Sequence, residues 1–403
     1  MKTLVHWQGQ GAQNAFRFLG HTEDGQTTAL GSRGSLGTKD SASPKEVMAM
    51  AQSACTGIDV VSTLQKMREP LESLEISCEI SLSKDYPSVF ESCVMQYDVR
   101  GRGINPRKVA HAVELSLLKY CGVSAMIERS GCHLTPRLFV NNTEFSIWDP
   151  QGNRAQILRN WQKSSRENFP RGVALIVGGS RGIGRALVRQ LSNQHFGIIS
   201  ASRTAVEGEL AKNECERIPL DISNELSRSA LVALIKESGV EISTVIFNSG
   251  ILDSEMRSAA NVNFDELRKV FETNLFAVAD LNRDLYSLLS PRATILFISS
   301  YMGLPNSNDF NCSSYRLSKC ALSLYAREFG KEMLAMGKDI AVASVHPGSV
   351  LTKLNPAGRL SPEESAARIA ILLESDRRSE ILARNGEFWM VKEKEARIDP
   401  WNI

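Results

Sequence analysis

The 403-residue chain lacks several features that would assign a class at once. Its eight cysteines are spread over the whole length and no two form a C-x-x-C pair, which argues against structural zinc and against a disulfide framework. Charge of one sign is missing too. With 47 basic and 45 acidic side chains the formal net charge is +2, no footprint for a nucleic acid. The N-terminal MKTLVHWQGQG has no apolar core of the kind a secretory signal carries. No run approaches the length of a bilayer crossing. The six histidines are scattered, and Cys132-His133 has no cluster around it. The expectation is a cytoplasmic protein with no metal centre and no nucleic-acid or membrane partner.

What is present divides the chain in two. From 171 to 403, apolar strand-like runs alternate with helical ones: VALIV (173–177), GIISASR (197–203), STVIFNSG (243–250), ATILFISS (293–300) and IAVASVHPG (340–348). Apolar strands separated by helices are covered on both faces, so this part is expected to be a doubly wound parallel α/β sheet of the Rossmann kind. Residues 1–141 read as α+β. A strand-like, turn-rich start precedes a long helix beginning at Ser43-Pro44, with serine as N-cap and proline at the first helical position. The nearly all apolar or small middle of that helix predicts burial. Two strand-like runs follow (LEISCEISLSK and CVMQYDVRG), then a helix from Pro106 with Val109, Val113, Leu117 and Tyr120 on one face, and a last strand, HLTPRLFVN. Residues 142–170 are polar and mixed and read as a linker with one short helix.

The segment VGGSRGIG places Gly178, Gly182 and Gly184 between a strand and a helix. A chain that must turn sharply and let a pyrophosphate touch its backbone needs glycine there, and the following helix N-terminus offers unpaired N–H groups and positive partial charge. The second strand ends in Ser202-Arg203, where an NAD site would carry an acid for the ribose 2′-hydroxyl. With Arg181 and Arg203 in its place, the expected cofactor is NADP rather than NAD.

Tyr315 and Lys319 are four residues apart and share one helix face. A tyrosine starts near pKa ~10, and a neighbouring ammonium is expected to pull it toward the operating pH, where proton transfer is efficient. Ser300, at the end of a strand, is placed to bond a substrate carbonyl, and Asn274 to hold a water that relays the proton.

In this order the motifs resemble a short-chain dehydrogenase/reductase across nearly all of 171–403. The matching residues are Gly178, Ser180, Arg181, Gly182, Ile183 and Gly184 of the glycine turn; Asp221 in PLDIS, which the family sets beside adenine; Asn248 and Gly250 in FNSG; Asn274, Ser300, Tyr315 and Lys319; and Pro347, Gly348 and Thr352 in HPGSVLT. The stretch between Arg203 and Asp221 and the tail GEFWMVKEKEARIDPW resemble the C-factor/sniffer-type carbonyl reductases. The resemblance implies carbonyl–alcohol interconversion on a small molecule, with Tyr315 as general acid/base, and names no substrate. There are departures. Val177 replaces a frequent threonine, Phe247-Asn248-Ser249-Gly250 replaces Asn-Asn-Ala-Gly, and the interval from Ser300 to Tyr315 is longer than the family's.

Residues 1–141 resemble the OsmC/Ohr family through SPKEVMAMAQSACTGIDVVS and LLKYCGVSAM. The resemblance implies organic hydroperoxide reduction, with Cys55 attacked to a sulfenic acid and Cys121 resolving it as a disulfide. Peroxidase members carry a glutamate ten residues before the first cysteine, paired with an arginine. Here Lys45 stands at that position and Glu46 follows, and Arg17 and Arg33 are the candidates for the arginine. Both families imply a homo-oligomer. Three readings of the chain remain open: a reductase coupled to a thiol peroxidase, a reductase with a non-catalytic accessory domain, and an NADP(H)-sensing signalling protein.

Overall fold

The computed structural model describes the chain except for residues 9–15, 33–40, 146, 148–153, 204–212, 306–310, 393–394 and 399–403, and the side chains at 162–168, 214–215 and 391–398. It divides into two compact units, Met1–Gly152 and Asn153–Ile403.

The first unit holds two sheets. Strands β1 (Thr3–Trp7), β2 (Phe18–Thr22) and β3 (Thr27–Leu30) form an antiparallel meander. Helix α1 (Pro44–Lys66) starts as the sequence predicts, with Ser43 and Glu46 closing a reciprocal capping box. Burial of α1 is narrower than its composition suggests. Ala49, Gln52, Thr56, Val60 and Leu64 are buried at helical spacing, while Met48, Met50 and Ile58 are exposed. By length and composition α1 would also suffice to cross a bilayer. This corrects the expectation that no run does, although its buried stripe includes the polar Gln52 and Thr56. Strands β4 (Ser73–Leu82) and β5 (Phe90–Arg100) pair antiparallel in front of α1. Helices α2 (Pro106–Leu115) and α3 (Gly122–Arg129) lead to β6 (His133–Val140), parallel to β5, and β7 (Thr143–Phe145) pairs on its far side. Between α2 and α3 the chain makes one π-helical turn, Ser116–Tyr120. Val109, Val113 and Leu117 are buried as predicted, but Tyr120 is exposed. The wider turn carries the register past the apolar face.

In the second unit, helix α4 (Arg154–Asn168) comes first. It packs on the α/β core through Ala155, Leu158 and Trp161. The stretch 142–170 is therefore not a linker throughout, since β7 belongs to the first unit and α4 to the second. The strands follow: β8 (Val173–Val177), β9 (Gly197–Ser202), β10 (Glu214–Pro219), β11 (Ile242–Phe247), β12 (Leu289–Ile298), β13 (Ala341–His346), β14 (Phe388–Lys392) and β15 (Glu395–Ile398). Their order is β10-β9-β8-β11-β12-β13-β14-β15, all parallel except the β14–β15 edge pair. The doubly wound parallel sheet is as expected. Helices α5 (Gly182–Asn193), α6 (Glu225–Ser238), α7 (Phe264–Phe271), α8 (Ala277–Leu285), α9 (Ser313–Ala335), α10 (Pro362–Ile371) and α11 (Ser375–Ala383) cover it. One core layer holds Leu175, Ile199, Phe247 and Phe297; the other holds Ile176, Ile198, Leu296 and Trp389. Residues alternating along each strand thus face opposite layers, as burial on both sides requires. The strand order reverses between β8 and β11, which opens a crevice at the carboxyl ends of the strands.

Candidate active site in the second unit and thiol site in the first

The crevice is a cleft of about 800 Å³ at those strand ends. Gly178 follows β8 with φ +93°, and a Cβ there would lie 2.8 Å from the Ser249 nitrogen. Gly184 is tighter still: its Cβ would fall 2.0 Å from the Gly178 carbonyl oxygen. The turn closes on itself because these two residues have no side chain. Asn248 Nδ2 donates to that same Gly178 carbonyl at 3.0 Å and ties the end of β11 to the turn. No side chain caps α5, so its first amides are left for a ligand. Ser180, Arg181, Gly182 and Ile183 line the cleft, as do Arg203 and Asp221 at the ends of β9 and β10. The Asp221 carboxylate accepts from Ser223 N at 3.1 Å and Ser223 Oγ at 2.7 Å, which fixes its orientation. Pro347, Gly348 and Thr352 line the opposite wall.

Deeper in the cleft, Lys319 is 3 % exposed and its Nζ donates to the Ile298 carbonyl at 2.8 Å. The same Nζ lies 5.8 Å from the centroid of the Tyr315 ring, as the four-residue spacing predicts. Tyr315 hydrogen-bonds Ser300, which caps a short 3-10 turn by accepting from Met302 N at 3.2 Å. The electrostatics differ from the expectation. Burial pushes the Tyr315 phenol up to about 12, against the opposing Ser300 bond. Burial also pushes the Lys319 ammonium down to about 8. Removing water from both groups disfavours both charged forms, so the site holds a protonated phenol rather than a phenolate.

Asn274 sits in a π-helical turn, Glu272–Phe276, between α7 and α8, and is fully buried. Its Oδ1 accepts from Ile251 N at 2.8 Å, and its Nδ2 donates to Ile251 O at 2.9 Å and Ser318 Oγ at 3.0 Å. Both amide donors are spent, so this side chain braces the loop after β11 instead of donating to a relay water. Gly250 lies against the same brace, its absent Cβ 3.4 Å from Asn274 Oδ1 and Lys319 Nζ.

Two residues outside the sequence motifs also bear on the site. Asp253 is buried and accepts from Tyr315 N at 2.9 Å and Ser314 N at 3.3 Å, holding the first turn of α9. Cys312, beside Tyr315, takes a left-handed backbone at φ +55°. Neither has a local sequence signal; the contact to Asp253 spans 62 residues. The longer Ser300–Tyr315 interval includes residues 306–310, which lie outside the described residues.

In the first unit the donor atoms of Cys55, Asp59 and Cys121 lie within 4.8 Å of one another, close enough to serve one cation as well as each other. Asp59 follows Cys55 by one helical turn, a spacing that by itself puts the two on the same face of α1. It accepts from Ser116 Oγ at 3.0 Å. Cys121 begins α3 and its Sγ accepts from Ser124 N at 3.3 Å and Ser124 Oγ at 3.1 Å. Burial nonetheless outweighs those bonds and pushes the thiol up. Lys45 donates to Ser88 Oγ at 3.0 Å, and Glu46 serves the capping box. Arg17 lies just before β2, and Arg33 is outside the described residues.

Comparison with known proteins agrees with both halves. The short chain dehydrogenase family matches residues 172–361 and the OsmC-like protein family matches residues 37–137. Protein YhfA of Escherichia coli K12 is 35 % identical over 130 residues, 32 % of this chain and 91 % of YhfA. An uncharacterized oxidoreductase of Schizosaccharomyces pombe, C663.06c, is 30 % identical over 190 residues, 45 % of this chain and 74 % of that protein. A putative short-chain dehydrogenase/reductase of Burkholderia multivorans, solved with bound NADP, is 25 % identical with a TM-score of 0.49, covering 58 % of this chain and 100 % of that one. The chain is a fusion that belongs to the OsmC-like proteins through its first unit and to the short-chain dehydrogenase/reductases, an oxidoreductase family, through its second.

Proposed function

We propose that the second unit is an NADPH-dependent reductase of small aldehydes or ketones, reversible to alcohol oxidation. The observation that carries this is the meeting of Ser300, Tyr315 and Lys319 on the cleft that also holds the glycine turn. The residues present fit the cofactor: the free α5 amides suit a pyrophosphate, Arg181 and Arg203 a 2′-phosphate, and the oriented Asp221 the adenine side. When bound, NADPH supplies hydride to the substrate carbon. The chain does the rest. Ser300 Oγ donates to the substrate oxygen. Tyr315, protonated at neutral pH, gives its proton to the oxygen as charge develops there. Lys319, held by Ile298 O, stabilises the phenolate that remains. Asn274 and Asp253 position the loop and helix that carry these groups.

The test is NADPH oxidation by the full-length protein across a panel of aldehydes, ketones and quinones. Turnover that vanishes in Tyr315→Phe while NADPH still binds supports the reading; full turnover in that variant overturns it. Equal efficiency with NADH would remove the 2′-phosphate assignment.

For the first unit we infer thiol-dependent reduction of organic hydroperoxides at Cys55, resolved by Cys121. What supports it is the clustering of their sulfurs with Asp59. Against it stands Lys45, turned to Ser88 where peroxidase members place a glutamate. Loss of cumene hydroperoxide followed in wild type and Cys55→Ser decides. Equal slow rates would leave an accessory domain.

A further inference from the structure

Strand β4 alternates strictly, with Leu74, Ile76, Cys78 and Ile80 less exposed than the serines and glutamates between them. On β5, Cys93, Met95, Tyr97 and Val99 are the buried set. The register pairs Cys78 with Met95 and Ile80 with Cys93, so the two cysteines stand on one face, diagonal to each other across neighbouring strands. Their sulfurs touch at 2.9 Å. We propose that Cys78 and Cys93 are a second redox-active thiol pair, separate from Cys55 and Cys121, which an organic hydroperoxide converts to a disulfide joining β4 to β5.

The surroundings assign the two sulfurs different parts. Cys78 is half-buried and open to a small oxidant, whereas Cys93 is fully buried. Charge is least costly at the more exposed position. Donation from the Cys93 thiol accordingly holds Cys78 below the usual thiol range and Cys93 far above it. Gln52 on α1 meets the pair through Oε1, 3.6 Å from Cys93 Sγ. Its Nε2 is buried with no partner among the described residues, a spare donor beside the sulfurs for the oxygen of a sulfenic acid.

The chemistry balances with hydroperoxide as the two-electron oxidant. The Cys78 thiolate attacks the terminal peroxide oxygen, the O–O bond breaks, and the alkoxide leaves and is protonated to the alcohol. Cys78 is then a sulfenic acid. Cys93 sulfur attacks Cys78 sulfur, the S–OH bond breaks, and hydroxide departs with the Cys93 proton as water. A disulfide bond of ~2.05 Å requires the sulfurs to close by less than one ångström. Cys132 is the third thiol near Cys93 and the competing partner.

The test uses full-length Cys55→Ser/Cys121→Ser protein, fully reduced and then exposed to one equivalent of cumene hydroperoxide. Two thiols should be lost and regained with dithiothreitol, and the digest should contain a Cys78–Cys93 cross-link. Adding Cys78→Ser should abolish the loss. No thiol loss, or a cross-link from Cys93 to Cys132 instead, overturns the proposal. Because Cys93 is a core position, its replacement is not needed. The cross-link map of the wild-type chain gives the same decision if the multiple variant does not fold.

Discussion

The two units bury their reactive groups against different compensations. In the second, an ammonium lies beside a phenol, with a backbone carbonyl to hold the ammonium and a serine hydroxyl to hold the phenol. In the first, the thiols meet hydroxyls, an amide and other thiols, and Lys45 turns away to Ser88. Burial alone raises acids and lowers bases. An arrangement that pairs one of each keeps both neutral-pH forms useful: acid loaded, cation present. Among the described residues no cation offsets burial at Cys121, and its thiol is pushed up. The second unit is therefore poised for proton donation at neutral pH, while in the first burial works against a thiolate at Cys121.

Perturbing the pair in the second unit should have the largest effect. Tyr315→Phe removes the proposed proton donor and should lower carbonyl turnover by roughly 10²–10⁴-fold, measured as kcat with NADPH affinity unchanged. Gly184→Val should abolish NADPH binding, since a Cβ would lie 2.0 Å from Gly178 O. The overpacking should also destabilise the unit by ~1–3 kcal/mol, read from denaturant melts.

Titration sharpens the comparison next. The folded Lys319 pKa of about 8 lies below the unfolded value of ~10.4. Between these values the unfolded chain binds more protons, so Lys319 contributes stability that rises with pH across that window. Tyr315 works oppositely. Its folded value of about 12 exceeds the unfolded ~10, so stability is lost as pH rises from 10 to 12. Reductase activity should fall above about pH 8 as Lys319 loses charge. Lys319→Met should flatten both the activity loss and the rise in stability. Asp253→Ala should cost about 1 kcal/mol by leaving the first-turn amides of α9 without their acceptor and lower kcat more than NADPH affinity. At the small end, Cys55→Ser should leave carbonyl turnover untouched and Tyr315→Phe should leave hydroperoxide turnover untouched. Any cross-effect would break the picture of two separate chemistries.

The sequence revealed what is local. The glycine turn, the Tyr315–Lys319 spacing and the Ser43 cap all depend on neighbours within one or two turns, and the strands β8, β9, β11, β12 and β13 are apolar runs. It concealed what depends on register or distant packing. Strand β10 reads ECERIP, too polar to stand out beside its apolar neighbours. Tyr120 left its predicted face because of a π turn. The Asn274 brace and the Asp253 cap join positions 23 and 62 residues apart. The Cys78–Cys93 meeting exists only once β4 and β5 are in register.

Helix α4 has a consequence for synthesis. It seats Leu158 against the layer that includes Leu231, Leu234 and Ile235 of α6, and Arg159 reaches the Glu237 carbonyl at 2.7 Å. Trp161 packs where Gly197 leaves room; a Cβ there would lie 2.4 Å from the ring. All of these partners follow α4 in the chain. As the polypeptide leaves the ribosome, the helix emerges with its apolar side uncovered and must wait for α6 before it can dock. At translation speeds of ~5–20 residues per second that wait lasts several seconds. For that interval Leu158 and Trp161 stay uncovered on the nascent chain, an apolar pair for a chaperone to hold.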